Sequence, residues 1–214
     1  MIPLDIFHDP ICPWCYIGKA RLDRALEARP DHPFDVQWHP FQLNPTMPAG
    51  GMTRSAYLEA KFGGPEGARK AYTPIVEIFL KEMPKADLLG ITHTPNTLDA
   101  HRLIHWAGIE GRQTPMVSLL YRAVFQEGRD IGDHEVLADL AARVDMDRDA
   151  VLRLLASDSD REEIAKRDAH ARERGVNAVP LFIVGNQHAV EGAQPTELWL
   201  NVIDELQAQQ QADV

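Results

Sequence analysis

The sequence predicts an α/β fold in which a long helical block separates two groups of strands. Short apolar runs bounded by turn residues are typical of strands, and they occur at residues 2–8, 34–38, 181–184 and 188–190. Helical periodicity occupies residues 13–28, between the first two strands, and residues 195–207, after the last one. The predicted order is therefore β-α-β, a helical block, and then β-β-α.

The helical block predicts the domain organisation. From residue 53 to about residue 175 the pattern is helical throughout, with breaks at glycines, prolines and capping residues. The predicted helices are 53–63, 65–83, 96–106, 114–127, 133–144, 147–156 and 159–174. We expect residues 1–45 and 176–214 to form one discontinuous domain and residues 46–175 to form an insertion. The glutamine-rich tail, residues 207–211, is expected to fray.

Cys12 and Cys15 are the only two cysteines of the chain, and they lie where the first strand meets the first helix. A Cys-x-x-Cys pair at such a junction is typical of thioredoxin-like redox proteins. Two thiols one helical turn apart can close a disulfide, while one of them stays exposed to attack a partner. The order of elements is also that of thioredoxin, so the sequence predicts a thioredoxin-like fold with an all-helical insertion.

Cys12 is predicted to be the nucleophile of the pair. At the helix start, unpaired N–H groups and the positive end of the helix dipole stabilise a thiolate. Pro13 suits the first turn because its missing N–H would be unpaired there. Cys15 lies further into the helix and is expected to be the less exposed, resolving thiol. His8, four residues before Cys12, either tunes the thiolate or caps the strand.

Two structural roles for the cysteine pair are less favoured. Half of a zinc site would need two more ligands from distant residues, and a structural disulfide gains little from closing a two-residue loop. His101 and His105 are one helical turn apart, but no glutamate lies between them and no third ligand is apparent. We therefore expect no metal site.

Composition limits the class of protein and its partners. Hydrophobic residues make up 44% and charged residues 25%, as in soluble globular proteins. The net charge of -10 disfavours nucleic acid and anionic membranes as partners. No apolar run approaches the roughly 20 residues that span a bilayer, and no signal-peptide pattern is present. We expect a cytoplasmic protein, in which a cysteine pair is more often catalytic than structural.

The dipeptide Val179-Pro180 directly precedes the apolar run 181–184. Proline cannot lie inside a strand ladder, and in the thioredoxin fold a cis-proline occupies this place and faces the cysteines. We expect a cis bond, whereas the alternative is a trans proline that opens an edge strand. A substrate segment would lie extended beside Val179. Trp14 would offer it an apolar surface or simply pack over the helix start.

Four motifs in this order carry a resemblance to a known family, and they occupy residues 12–18, 40–45, 175–182 and 192–195. Together they resemble the DsbA-like thioredoxin superfamily and, more narrowly, cytoplasmic FrnE-type dithiol-disulfide oxidoreductases and isomerases. The resemblance covers essentially the whole chain. It implies disulfide exchange with disulfide- or dithiol-containing proteins, with Cys12 and Cys15 catalytic and Pro180 the cis-proline. It implies no tightly bound cofactor, and glutathione is a candidate redox partner.

Two features of the resemblance bear on the activity. The inner dipeptide Pro13-Trp14 lacks the histidine of strongly oxidising members, so extreme oxidising power is not expected. Related families are 2-hydroxychromene-2-carboxylate isomerase and kappa-class glutathione transferase, which act on small aromatic substrates with glutathione and typically carry serine at the position of Cys12. Both cysteines favour disulfide exchange, because that attack requires sulfur. A chaperone or binding module would leave the pair idle.

Overall fold

A computed structural model describes residues 1–212 of the chain. Its elements in chain order are β1 (Ile2–His8), α1 (Pro13–Ala28), β2 (Phe34–Pro40), β3 (Met52–Thr53), α2 (Arg54–Phe62), α3 (Pro65–Glu82), β4 (His93–Thr94), α4 (Leu98–Ile109), α5 (Gln113–Phe125), α6 (His134–Ala142), α7 (Arg148–Leu155), α8 (Arg161–Glu173), β5 (Leu181–Val184), β6 (His188–Glu191) and α9 (Thr196–Ala212). In this part of the chain, no helix has the length and apolar content that crossing a membrane requires.

The main sheet has four strands in the order β2-β1-β5-β6. The central strand β1 pairs in parallel with β2 and antiparallel with β5, so that Ile6 lies between Trp38 and Phe182. Strand β6 continues the sheet antiparallel to β5. The predicted α/β fold, with two groups of strands separated by helices, is confirmed.

The main core runs from the sheet into the helices, and a small second cluster contains Phe41, Ala171 and Val176. Buried side chains of β1, α1, α4 and α5 belong to one apolar cluster, which includes Ile6, Leu22, Leu103 and Leu120. Helix α9 packs on the sheet at β5, where its fully buried Trp199 contacts Phe182 edge-on at 4.8 Å between ring centroids. Since the core is continuous, the boundary between the two expected domains stays a prediction.

The expectation that the middle of the chain is helical throughout is wrong. Met52–Thr53 and His93–Thr94 form a short antiparallel ladder. This ladder brackets α2 and α3 and holds the two ends of that segment together. Two residues are too short for an alternating pattern, so the sequence carries no strand signal there.

The closing helix, which was expected to end at residue 207, extends to Ala212 in α9, and the expected fraying of residues 207–211 stays a prediction. Glutamine has a good intrinsic helix propensity. The side chain of Gln207 also donates to the carbonyl of Asp31 at 2.9 Å, which ties the helix to the turn after α1.

Candidate active site

Cys12 is the residue immediately before α1, and Cys15 lies in the first turn of that helix. The Cys12 amide donates to the Asp9 carbonyl at 2.9 Å, and the Cys12 carbonyl accepts from the Tyr16 amide at 3.1 Å. Pro13 is the first helical residue, as predicted from its missing N–H. The Cys12 thiol therefore lies where the unpaired N–H groups of the helix and its positive dipole end meet.

Both cysteines are free thiols and both are buried, so the expected exposure of Cys12 is wrong. The relative exposure is 4% for Cys12 and 1% for Cys15. Burial raises the pKa of Tyr57 on α2 and of Tyr72 on α3, and the charge of Cys12 adds to each rise. The candidate nucleophile therefore lies inside the folded chain and not on its surface.

The environment of Cys15 suits a resolving thiol. Burial raises the pKa of Cys15 well above its ordinary value, and hydrogen bonding to Cys12 and the charge of Cys12 add to the rise. Cys15 therefore remains a protonated thiol at neutral pH while the pair is reduced. A buried, protonated Cys15 fits the role of the second thiol, which acts after the first attack.

The segment before β5 approaches the cysteines closely. The Val179–Pro180 peptide bond is cis, and the Cys12 Sγ atom lies 3.8 Å from the Val179 carbonyl oxygen. The Pro180 ring packs on α1 at Gly18, where an added Cβ would lie 3.0 Å from Pro180 Cγ and 3.3 Å from Phe182 Cζ. Gly18 had no predicted role, yet it lets this segment lie against the helix that carries the thiols.

Trp14 is half-buried against the main core. Its packing role over the helix start is therefore present in the structure. Its second predicted role, as an apolar surface for a substrate, stays a prediction.

His8 is fully buried at the end of β1. Its Nδ1 atom lies 2.8 Å from the Tyr121 hydroxyl, and its ring meets those of Trp38 and His101 edge-on at 4.8 and 5.6 Å. Burial lowers the pKa of His8 well below its ordinary value, and the charge of His101 contributes next. His8 is therefore neutral, and its hydrogen-bond partner is Tyr121 of α5, a residue that no sequence pattern singled out.

Asp9 is a second group that sequence reasoning missed. Its fully buried carboxylate accepts from the Ile11 amide at 3.2 Å, the Leu43 amide at 2.7 Å and the Thr97 hydroxyl at 3.4 Å. These bonds join the turn before α1 to the segment after β2 and the start of α4. Burial raises the pKa of Asp9 from 3.8 to about 7, although the hydrogen bonds oppose the rise.

Replacing Asp9 with asparagine should change how stability depends on pH. The pKa of Asp9 is about 7 in the folded protein, whereas the ordinary value of 3.8 applies to the unfolded chain. The native state therefore binds the extra proton, and the contribution of Asp9 to stability falls as pH rises from about 4 to about 7. The free energy of unfolding of Asp9→Asn relative to wild type should increase across this window, by at most about 1.4 kcal/mol per pH unit.

Urea unfolding of both proteins at several pH values measures this difference. The matched control is Asp35→Asn, which makes the same substitution at an exposed position of β2. An Asp9→Asn difference that stays constant between pH 4 and pH 7 would contradict the raised pKa.

The two histidines considered as metal ligands do not share a site. His101 is buried beside His8, whereas the His105 ring lies 3.4 Å from the Arg167 guanidinium. Within residues 1–212, no cluster of three or more His, Cys, Asp or Glu side chains has an arrangement that could hold a metal ion.

The family follows from comparison with known proteins. Residues 3–204 match the DSBA-like thioredoxin domain. The chain belongs to this DsbA-like family. Its members are generally oxidoreductases, and the two adjacent thiols at the start of α1 fit that activity.

Three solved structures are similar over almost the whole chain. The probable DsbA oxidoreductase SCO1869 from Streptomyces coelicolor is 28% identical, with a TM-score of 0.80, and the match covers 96% of this chain and 89% of that one. 2-Hydroxychromene-2-carboxylate isomerase is 20% identical, with a TM-score of 0.69 and coverage of 99% and 98%. The cytosolic disulfide reductase DsbM from Pseudomonas aeruginosa, solved with GSH, is 20% identical, with a TM-score of 0.56 and coverage of 99% and 98%. The last two show the fold alone.

Proposed function

We propose that this protein is a thiol-disulfide oxidoreductase and isomerase of the FrnE type, which exchanges disulfides with protein substrates. The proposal rests on the pair of free thiols at the start of α1. The Cys12 sulfur lies 3.8 Å from the Val179 carbonyl oxygen, and Cys15 lies in the first turn of the helix. Together with membership of the DsbA-like family, this geometry supports disulfide exchange at Cys12 and Cys15.

The proposed reaction has two steps. The Cys12 thiolate attacks a substrate disulfide, so that a Cys12–substrate bond forms and the other substrate sulfur leaves as a thiolate and takes up a proton. Cys15 then attacks Cys12, which forms the Cys12–Cys15 disulfide and releases the second substrate thiol. The reverse sequence oxidises a dithiol. Isomerisation uses the first step, with Cys15 releasing substrates that fail to rearrange.

The surroundings of Cys12 limit the form of the substrate. Because Cys12 is 4% exposed, a disulfide reaches it as part of a thin, extended segment and not on a rigid folded surface. Asn177 and Ala178 are exposed and Val179 is half-buried, which leaves this side open to an extended segment. We propose that the segment pairs with the Val179 backbone in the manner of an added strand.

Glutathione is proposed as the small redox partner, and the cytoplasm as the place of action. DsbM, the similar cytosolic disulfide reductase, was solved with GSH, and glutathione is small enough to reach an enclosed sulfur. A glutathione-dependent isomerase or transferase is the alternative, because 2-hydroxychromene-2-carboxylate isomerase shares the fold.

Parallel assays distinguish the two enzyme classes. The protein should accelerate insulin-disulfide reduction by dithiothreitol in the absence of glutathione, since both sulfurs of the exchange are its own. It should conjugate glutathione to chlorodinitrobenzene weakly or not at all. Absent disulfide exchange, together with robust conjugation that survives Cys12→Ala, would instead place the protein in the glutathione-dependent class.

A further inference from the structure

Tyr121, on α5, is a buried group that the proposed reaction does not yet use. Its side chain is fully buried, and its ring stacks on that of Tyr16, the residue after Cys15, at 5.5 Å between centroids. Its hydroxyl lies 2.8 Å from His8 Nδ1 and 3.5 Å from the Asp9 carbonyl oxygen. Neighbours from α1 and β1 therefore hold the ring and its oxygen in place.

The Tyr121 hydroxyl lies beside the turn that carries the cysteines, because the Asp9 carbonyl to which it donates at 3.5 Å also accepts from the Cys12 amide at 2.9 Å. Burial raises the pKa of Tyr121 well above its ordinary value, and the charges of Cys15 and Cys12, as well as a hydrogen bond with Cys15, raise it further. The phenol therefore stays protonated beside the buried sulfur. A protonated phenol is a hydrogen-bond donor.

We propose that Tyr121 donates a hydrogen bond to the Cys15 sulfur when Cys15 becomes a thiolate in the second step, and that His8 is the positioning residue that orients the Tyr121 hydroxyl. The inference rests on the proposed disulfide exchange and adds a group from the helical insertion to a site otherwise built from α1 and the segment before β5. In this proposal His8 acts on Cys15 through Tyr121. That role differs from the two predicted from the sequence, which were to tune the Cys12 thiolate or to cap the strand.

In the second step, the Cys15 thiolate requires a hydrogen-bond donor. A buried thiolate lacks the hydrogen bonds that water would supply. With the proton of neutral His8 on Nδ1, the imidazole donates to the Tyr121 oxygen. The Tyr121 O–H can then turn from the Asp9 carbonyl, to which it donates in the reduced protein, towards the sulfur. Burial lowers the pKa of His8, and the charges of His101, His39 and Lys19 lower it further, so the His8 ring stays neutral.

The second step needs no reactant besides the two cysteines and the bound substrate sulfur. The Cys15 sulfur bonds to Cys12, the bond between Cys12 and the substrate sulfur breaks, and the proton lost by Cys15 ends on the departing substrate thiol. Tyr121 keeps its own proton throughout. Its contribution is to the stability of the anionic sulfur.

Stopped-flow reaction of the reduced protein with the small chromogenic disulfide dithiobis(nitrobenzoate) separates the two steps. Attack by Cys12 releases the first coloured thiolate, and attack by Cys15 on the mixed disulfide releases the second. Tyr121→Phe should leave the first phase unchanged within about twofold and slow the second by roughly ten- to a hundredfold, the range for hydrogen bonds to charged groups.

Three further variants test the hydroxyl and its orientation. Tyr16→Phe is the matched control, because it removes the hydroxyl of the stacked neighbour, which binds Gln126 at 2.7 Å, and it should leave both phases unchanged. His8→Leu should slow the second phase in wild type but add nothing to Tyr121→Phe. His8→Asn should retain most of the rate, since its amide can replace the Nδ1 donor.

The outcomes also separate this inference from the proposed function. An unchanged second phase in a folded Tyr121→Phe protein, or an equal slowing of both phases, overturns the role of Tyr121. A His8→Leu effect that persists in full in the Tyr121→Phe background overturns the role of His8. Wild-type protein that releases no coloured thiolate at all would instead refute the disulfide exchange itself.

Discussion

Replacing Cys12 with serine should abolish insulin-disulfide reduction. A serine hydroxyl cannot act as the sulfur nucleophile in disulfide exchange, and Cys15 cannot substitute because it is 1% exposed and burial raises its pKa. The expected loss of rate is complete within the limit of the assay. Measurement of turbidity with wild-type and variant protein at equal concentration tests it.

Cys15→Ala is the matched control for that variant. It should retain the first attack and accumulate mixed disulfides, because the second thiol that releases the substrate is missing. Non-reducing gels and mass spectrometry detect these adducts. If iodoacetamide at pH 6 labels Cys15 of the reduced wild-type protein faster than Cys12, the assignment of the two thiols is wrong.

Arg102→Met should cause the largest loss of stability. Arg102 is fully buried in α4 and forms an ion pair with Asp99 at 2.8 Å. Its guanidinium donates to four backbone carbonyls around the connection between α7 and α8, those of Leu154, Leu155, Ser157 and Ser159. Methionine fills the space but leaves the carbonyls of Leu155, Ser157 and Ser159 without this donor. The Leu154 carbonyl keeps the Ser157 hydroxyl, and Asp99 keeps Arg161 and His134 as partners.

The expected cost is about 3–5 kcal/mol of the free energy of unfolding, because each buried carbonyl that loses its donor costs about 1–3 kcal/mol. Urea denaturation measures it. Arg153→Met is the matched control, because Arg153 is exposed on α7 and its replacement should change stability by no more than about 0.5 kcal/mol. A loss below about 1 kcal/mol for Arg102→Met would show that the carbonyls find other donors.

Local patterns in the sequence account for the elements that hold the thiols. Apolar runs mark β1 and β5, and helical periodicity with Pro13 at the first position marks α1. The Cys-x-x-Cys spacing is part of the sequence itself. These features depend on neighbours in the chain, so their positions agree with the structure to within a few residues.

The surroundings of the thiols depend on tertiary packing, which local patterns do not encode. In the sequence, Tyr121 is one of several apolar or aromatic residues on a predicted helix, and nothing distinguishes it. Its hydroxyl lies near the thiols only because α5 packs against α1 and β1. Burial of Asp9 depends on donors from the segment after β2 and from the start of α4. The contact of Cys12 with the Val179 carbonyl likewise comes from a segment far along the chain.

The contact between Cys12 and Val179 has a consequence for biosynthesis, because 167 positions separate the two residues. Both thiols leave the ribosome long before the segment that encloses them, so the nascent chain carries two unprotected cysteines. The site forms when β5 inserts beside β1, a non-local pairing of the kind that slows folding. Chains that end before β5 therefore contain the complete Cys-x-x-Cys motif without its enclosed environment, and selective reactivity of Cys12 reports completed folding.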